Sequence, residues 1–173
     1  IAVNERLERL VLQGGGLEEI AREIAAAVGG SSVVLDARGE TLAHGGRRLP
    51  EHLVDAIRTE VQPRARAAAP FVPPQPDLRG RALAHPVSPR GGSAEAWLVV
   101  VRRSGELGDF ERLCVQQAAI VVALELMRER VAREDSSRNQ TEWSLRRRHG
   151  GSGPNEPTRA RRFGRRAAYG RFR

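Results

Sequence analysis

Four histidines, one cysteine and a run of three glycines are the residues of this chain whose chemistry is tested first. Zinc-type metal sites draw ligand pairs from positions a few residues apart, so that one turn or one helix face presents both. His44, His52, His85 and His149 stand in no i, i+3 or i, i+4 relation to one another or to Cys114, and no metal centre is expected. Gly14-Gly15-Gly16 follows a helical pattern instead of a strand and lacks the Lys and Ser/Thr of a phosphate loop, so it reads as a helix break. No Gly-x-Ser-x-Gly elbow occurs, and Cys114 has neither Arg nor His four residues away on its helix to lower its pKa; it reads as a core thiol. Without a nucleophile, a base or a metal set, no enzyme activity and no cofactor are expected. What remains is a small-molecule pocket between the sheet and a Pro-rich segment, with His44, Arg81 and His85 as polar candidates near strand ends.

The charge has to be divided along the chain before it means anything. All 29 basic residues are arginine, and the net charge over 173 residues is +8. Residues 146–173 hold ten arginines against one acid, Glu156, whereas residues 1–145 hold 19 arginines against 20 acids. The body is therefore neutral and offers no electrostatic footprint for DNA or RNA. No apolar run approaches the roughly 18–20 residues of a membrane span, and no charged and then apolar leader follows Ile1. A single cysteine cannot form an intrachain disulfide, which fits a reducing compartment. A cytoplasmic protein without a membrane partner is expected, with one compact domain plus extensions.

The elements that must position these residues follow from periodicity. Asn4–Gln13 and Leu17–Val28 each repeat apolar residues at helical spacing, and Gly29-Gly30 closes the second. Val33–Asp36 and Thr41–His44 flank a turn at residues 37–40 and predict a hairpin. Pro50 opens a helix whose face carries Leu53, Val54, Ile57 and Val61. Five prolines between residues 62 and 80 predict a loop, with one short strand at Phe71-Val72. Arg81–Val87 and Ala94–Arg102 flank a turn-rich connector and predict a second hairpin, with Trp97, Val99 and Val101 pointing inward. Asp109, as N-cap, then opens a long helix running to about Glu134. Between Leu113 and Met127 only Gln116, Gln117 and Glu125 are polar, so this helix must be covered on more than one side. The sheet is one cover; the other is either the N-terminal helical pair or the same helix of a second chain. A parallel homodimer through Leu113, Val121, Leu124 and Met127 is the preferred expectation. The order α, α, β, β, α, loop, β, β, α, with hairpins in place of crossovers, predicts an α+β fold with an antiparallel sheet and helices on its faces.

Three stretches, VNERLERLVLQGGGLEEIAREIA, SSVVLDARGETLAHG and ERLCVQQAAIVVALELMRERVARE, resemble the middle region of PucR/CdaR-type bacterial transcriptional regulators, common in actinobacteria. The resemblance covers about residues 3–145, and its most specific part is Ala123–Arg130. It implies a GAF-like core at residues 31–107, preceded by a helical segment at 1–30 and followed by a signalling and dimerisation helix at 108–145. It also implies a sensory role, an effector of small-molecule type, and a helix-turn-helix that reads DNA. The last has no counterpart in residues 146–173, so DNA contact is expected only through a domain absent from this chain.

The Arg-rich stretch from 146 to 173 has three readings. In the family the long helix continues through a Leu-Arg-Gly-Asp sequence, and codons available for Arg147–Gly151, read one base on, spell Gly-Asp-Met-Val-Ala. A frameshifted tail is one expectation. The second is an arginine-rich nucleic-acid-binding segment, with Phe163, Tyr169 and Phe172 interspersed. The third is a solvated, disordered end without a partner.

Overall fold

A computed structural model describes residues 14–149 together with Glu5 and Arg9, the backbone alone being described for Glu142 and for residues 144–149. Glu5 and Arg9 are helical, and the rest of the expected Asn4–Gln13 helix lies outside the described residues, as does the tail from residue 150. The chain divides into two units, residues 1–134 and 135–173, and all the packing below belongs to the first.

The elements are α1 (Gly16–Val28), β1 (Gly30–Asp36), β2 (Thr41–Gly46), α2 (Glu51–Arg64), a 3-10 turn at Pro76–Leu78, β3 (Ala82–Val87), β4 (Ala96–Arg102) and α3 (Asp109–His149). Helix α1 buries Leu17, Ile20, Ala21, Ile24, Ala25 and Val28 along one stripe and stops at Gly29. That residue is left-handed (φ 66°) and its N–H donates to the carbonyls of Ala25 and Ala26, a conformation glycine adopts without strain. Between β1 and β2 the Asp36 carboxylate accepts from the N–H groups of Arg38 (2.9 Å) and Glu40 (2.8 Å), which folds the turn the sequence predicts.

The sheet is antiparallel throughout, in the order β2-β1-β4-β3. Its two faces are both covered, as the predicted α+β class requires. On one face Val34, Ala43, Leu83, Leu98 and Val100 pack with α1 and with Val115, Ala118, Ala119 and Val122 of α3. On the other, Val33, Leu35, Trp97, Val99 and Val101 pack with Ile57 and Val61 of α2 and with Leu78. The Pro-rich segment is a loop pinned at two points. Phe71 exchanges backbone hydrogen bonds with Ala84 and sets its ring edge-on to Trp97 at 5.4 Å, while Leu78 is buried. Trp97 lies fully buried where the alternation with Val99 and Val101 places it, and among the described residues its indole N–H has no hydrogen-bond partner.

One close approach sets the position of α1. Gly45 of β2 lies against the α1 backbone, where a Cβ would fall well inside the contact distance of the Ala21 carbonyl and the Arg22 nitrogen. The buried Ser32 hydroxyl donates to the same Ala21 carbonyl at 2.6 Å. Helix and sheet thus meet backbone to backbone, with the Ser32 hydroxyl using a second lone pair of a mid-helix carbonyl.

Four expectations need correction. Helix α3 begins at Asp109 itself, not with Asp109 as its cap: Gly108 precedes it, and Glu111 reaches back to accept from the Gly108 N–H at 3.0 Å. The helix also runs past Glu134 to His149, through the Arg146–Arg148 run assigned to the tail. The polar residues beyond 134 carry no apolar stripe, so periodicity ended before helicity did. Helix α2 continues through Pro63, one residue before its end, so the hydrogen bond that proline cannot donate falls in the last turn. Cys114 is half-buried on α3 instead of sitting in the core. Among the described residues no helix is long and apolar enough to cross a membrane.

Candidate functional site

All four strands have a terminus at one end of the sheet: β1 starts at Gly30, β2 ends at Gly46, β3 starts at Ala82 and β4 ends at Arg102. The flanking residues are arginines. Arg47 and Arg48 follow β2, Arg81 precedes β3, and Arg102 and Arg103 close β4. Together they rim a cleft of about 450 Å³, with Leu49, Pro50, Leu53, Leu78 and Val101 as its apolar lining. Among the described residues that line it, Asp77 is the single acid.

The rim is partly built and partly free. Half-buried Arg81 donates through Nε and Nη2 to the Arg102 carbonyl (3.2 and 2.9 Å) and through Nη2 to the Arg103 carbonyl (2.8 Å). Its fourth contact is the Asp77 carbonyl at 3.3 Å, so every acceptor it uses is neutral backbone. Arg102 is neutralised by Glu111 at 3.0 Å. Arg47 and Arg103 are exposed, and among the described residues no carboxylate pairs with them or with Arg81. The loop bearing Arg47 is held to the sheet by the Ser31 hydroxyl, which donates to the Arg47 carbonyl at 2.6 Å.

His44 stands next to this rim. Arg48 Nε donates to His44 Nε2 at 3.1 Å, which makes that nitrogen the acceptor and leaves the ring proton on Nδ1. Nδ1 faces the Glu18 carboxylate of α1 at 3.5 Å, and the His44 backbone N–H donates to the same carboxylate at 3.4 Å. Glu18, His44 and Arg48 therefore link α1, β2 and the β2–α2 loop. His44 also lines a second, more open cleft of about 770 Å³ with Arg22, Gly30 and Arg103. His85 is not part of the site. It lies on β3, with β1 and β4 between it and His44, and its Nδ1 sits 2.9 Å from the Pro86 carbonyl. Of the three polar candidates, Arg81 lines the arginine-rimmed cleft, His44 lies on the opposite edge strand and lines the neighbouring cleft, and His85 lines neither.

The second feature is on α3. Phe110, Leu113, Ile120, Leu124 and Val131 are each between 45% and 60% exposed, and with half-buried Gln117 and Met127 they recur at alternating three- and four-residue intervals. That is the spacing of a coiled-coil seam. Val121 does not belong to it: it is 4% exposed and packs in the core with α1 and the sheet, which corrects its assignment to dimer contact.

Glu125 lies on the buried side of the same helix, 3.4 Å from Arg128. Burial pushes its carboxyl above the ordinary carboxylate value, against the opposing pull of Arg128. The folded chain then binds this proton more tightly than the unfolded chain. The associated stability is complete at acid pH and is lost as pH rises from the unfolded pKa through the raised folded one. Glu125→Gln is expected to raise the melting midpoint at neutral pH and to leave it nearly unchanged at about pH 4, where both states are mostly protonated. Paired melting curves check this, and equal shifts at the two pH values would sink it. Glu95, at the β3–β4 connection, behaves oppositely. Arg130 of α3 at 2.6 Å, joined by Arg90 at 3.2 Å, holds its carboxyl below the ordinary value. Cys114 has its thiol pushed up by burial, which makes it a poor nucleophile near neutral pH.

Among the described residues no group of three or more His, Cys, Asp and Glu side chains could hold a metal ion. No family model matches the sequence. No curated protein matches it either. Among solved structures, the gliding protein MglB of Thermus thermophilus is similar at a TM-score of 0.46 and 18% identity, over 62% of this chain and 85% of that one. An MglB structure described as having a tetrameric arrangement gives 0.44 and 18%, over 72% and 92%. Likeness at this level carries no residue role and no partner to this chain.

Proposed function

We propose that this chain is a non-catalytic sensory and dimerising module of a cytoplasmic transcriptional regulator of PucR/CdaR type, paired as a parallel homodimer through α3. DNA is read by a domain outside this sequence. The observation that carries the reading is the exposed seam from Phe110 to Val131, set on a helix whose opposite face is already filled by its own sheet and α1. A helix with both faces apolar needs two covers, and the described residues of one copy supply only one of them. The polar Gln117 in the middle of the seam fits pairing with a like copy, because a single polar residue at such a position fixes register at a modest cost in stability. A change at the sheet that moves α3 alters the seam, which is the route from ligand to DNA-reading domain. Sedimentation equilibrium tests the reading: a dimer with a dissociation constant below about 10 µM is expected, and a monomer at that concentration overturns it.

A further inference from the structure

The arginine-rimmed cleft at the strand ends has a composition the pairing reading does not use. We propose that it binds a small phosphate ester with an apolar or planar body. This deepens the reading above only in naming the effector; the binding itself does not depend on pairing.

Charge is the first argument. The first 145 residues carry one net negative charge, yet five arginines converge here with one lining acid, and Glu111 neutralises only one of them. Arg81 is the telling member. A half-buried guanidinium whose acceptors are all carbonyls is fixed in direction and remains uncompensated in charge, a state that an anion relieves. Arg47 and Arg103 stand free on the rim, where a planar fork of N–H donors matches the geometry of phosphate oxygens. Arg48, held by its Nε on His44, leaves its terminal nitrogens for the same anion.

Shape is the second argument. Inorganic phosphate would fill only a fraction of about 450 Å³, a volume within the range of roughly 300–1,000 Å³ usual for small-ligand sites. Leu49, Pro50, Leu53, Leu78 and Val101 line the remainder with Ser31, whose hydroxyl is spent on the Arg47 carbonyl, and Asp77, which repels a second anionic group. A body that tolerates apolar contact fits beneath the arginines. A nucleic-acid backbone fits less well, since the β2–α2 loop, held by Ser31, borders the recess on one side and the first 145 residues as a whole carry no net positive charge.

Calorimetric titration of the full chain with phenyl phosphate and, separately, with inorganic phosphate tests the proposal. Phenyl phosphate is expected to saturate one site per chain and to bind at least about tenfold more tightly than inorganic phosphate. The double variant Arg47→Gln, Arg103→Gln alters two exposed side chains without carboxylate partners and is expected to keep its melting midpoint. It should weaken phenyl phosphate binding by about tenfold or more. Equal affinity for the two probes overturns the proposal in favour of a plain anion site, and so does binding indifferent to the double variant. Failure of phenyl phosphate to saturate, or competition by mixed-sequence DNA at lower concentration than phenyl phosphate, overturns it as well. A monomeric chain that binds phenyl phosphate removes the pairing reading alone, whereas a dimer that does not bind removes this site alone.

Discussion

A chain carrying Leu113→Glu together with Leu124→Glu is expected to sediment as a monomer while keeping the melting behaviour of an intact fold. Both side chains are about half exposed in the single copy, so the carboxylates stay in water and the core beneath is untouched. In the paired state each would be buried against its twin, which removes roughly 1.5–3 kcal/mol of apolar burial per leucine and adds like-charge repulsion. Four such sites per dimer place the expected weakening beyond about a thousandfold in dissociation constant, even after the usual discount of area against affinity. Val121→Glu is the contrast. It buries a charge in the core shared by α1 and the sheet, and it should unfold the chain instead of splitting it. Parallel behaviour of the two variants, by sedimentation and thermal melting, would count against the division of α3 into an inner and an outer face.

The second large effect is expected at Gly45. An added methyl there meets backbone atoms of Ala21 and Arg22, which cannot rotate away as a side chain would. Helix α1 must lift, loosening Ile20 and Ile24 from the sheet and stretching the Ser32 to Ala21 hydrogen bond. Gly45→Ala should therefore cost about 3 kcal/mol, the upper end of ordinary overpacking, and lower the melting midpoint by roughly 6–12 °C for a chain of this size. Gly91→Ala is the control: its left-handed φ of 73° strains any L side chain, but no atom lies within 4 Å, so it should cost only about 1–2 kcal/mol. A Gly45→Ala chain that melts with the control would show that α1 does not rest on that backbone contact.

Much of this fold is legible in the residues. The β-branched and apolar runs around the 37–40 turn, and the alternation through Trp97, Val99 and Val101, place both hairpins and their inward faces. The first residues of β1 are not legible, because Gly30, Ser31 and Ser32 have little strand preference alone; they are strand because β4, and for the serines β2 as well, pairs with their backbone, while the two hydroxyls find acceptors in Arg47 and Ala21. The two faces of α3 were written in its spacing, but an almost wholly apolar helix offers two overlapping stripes. Leu113, Leu124 and Met127 fall on the outer one and Val121 on the inner. Strand order was the information missing at the site. His44 and His85 both read as strand-end residues, and only the order β2-β1-β4-β3 reveals that they stand on opposite edges. Arg47 and Arg103 were invisible for a different reason: in a chain whose 29 cations are all arginine, residue type alone singles out none of them.

The sheet also acts as a partition. Leu98 and Val100 project into the compartment shared with α1 and α3, while Trp97, Val99 and Val101 project into the one shared with α2 and the loop around Phe71. The strand backbone separates these two fillings. The α2 side has an indole N–H without a partner among the described residues and is covered in part by the Pro-rich loop instead of a regular element, which makes it the weaker of the two. It is expected to open first, as a sub-global unit, while α1 remains seated on the other face. Native-state amide exchange is expected to rank α2 and the Phe71 to Ala84 bridge as fast, and β1 and β4, each bonded to neighbours on both sides, as the last to exchange.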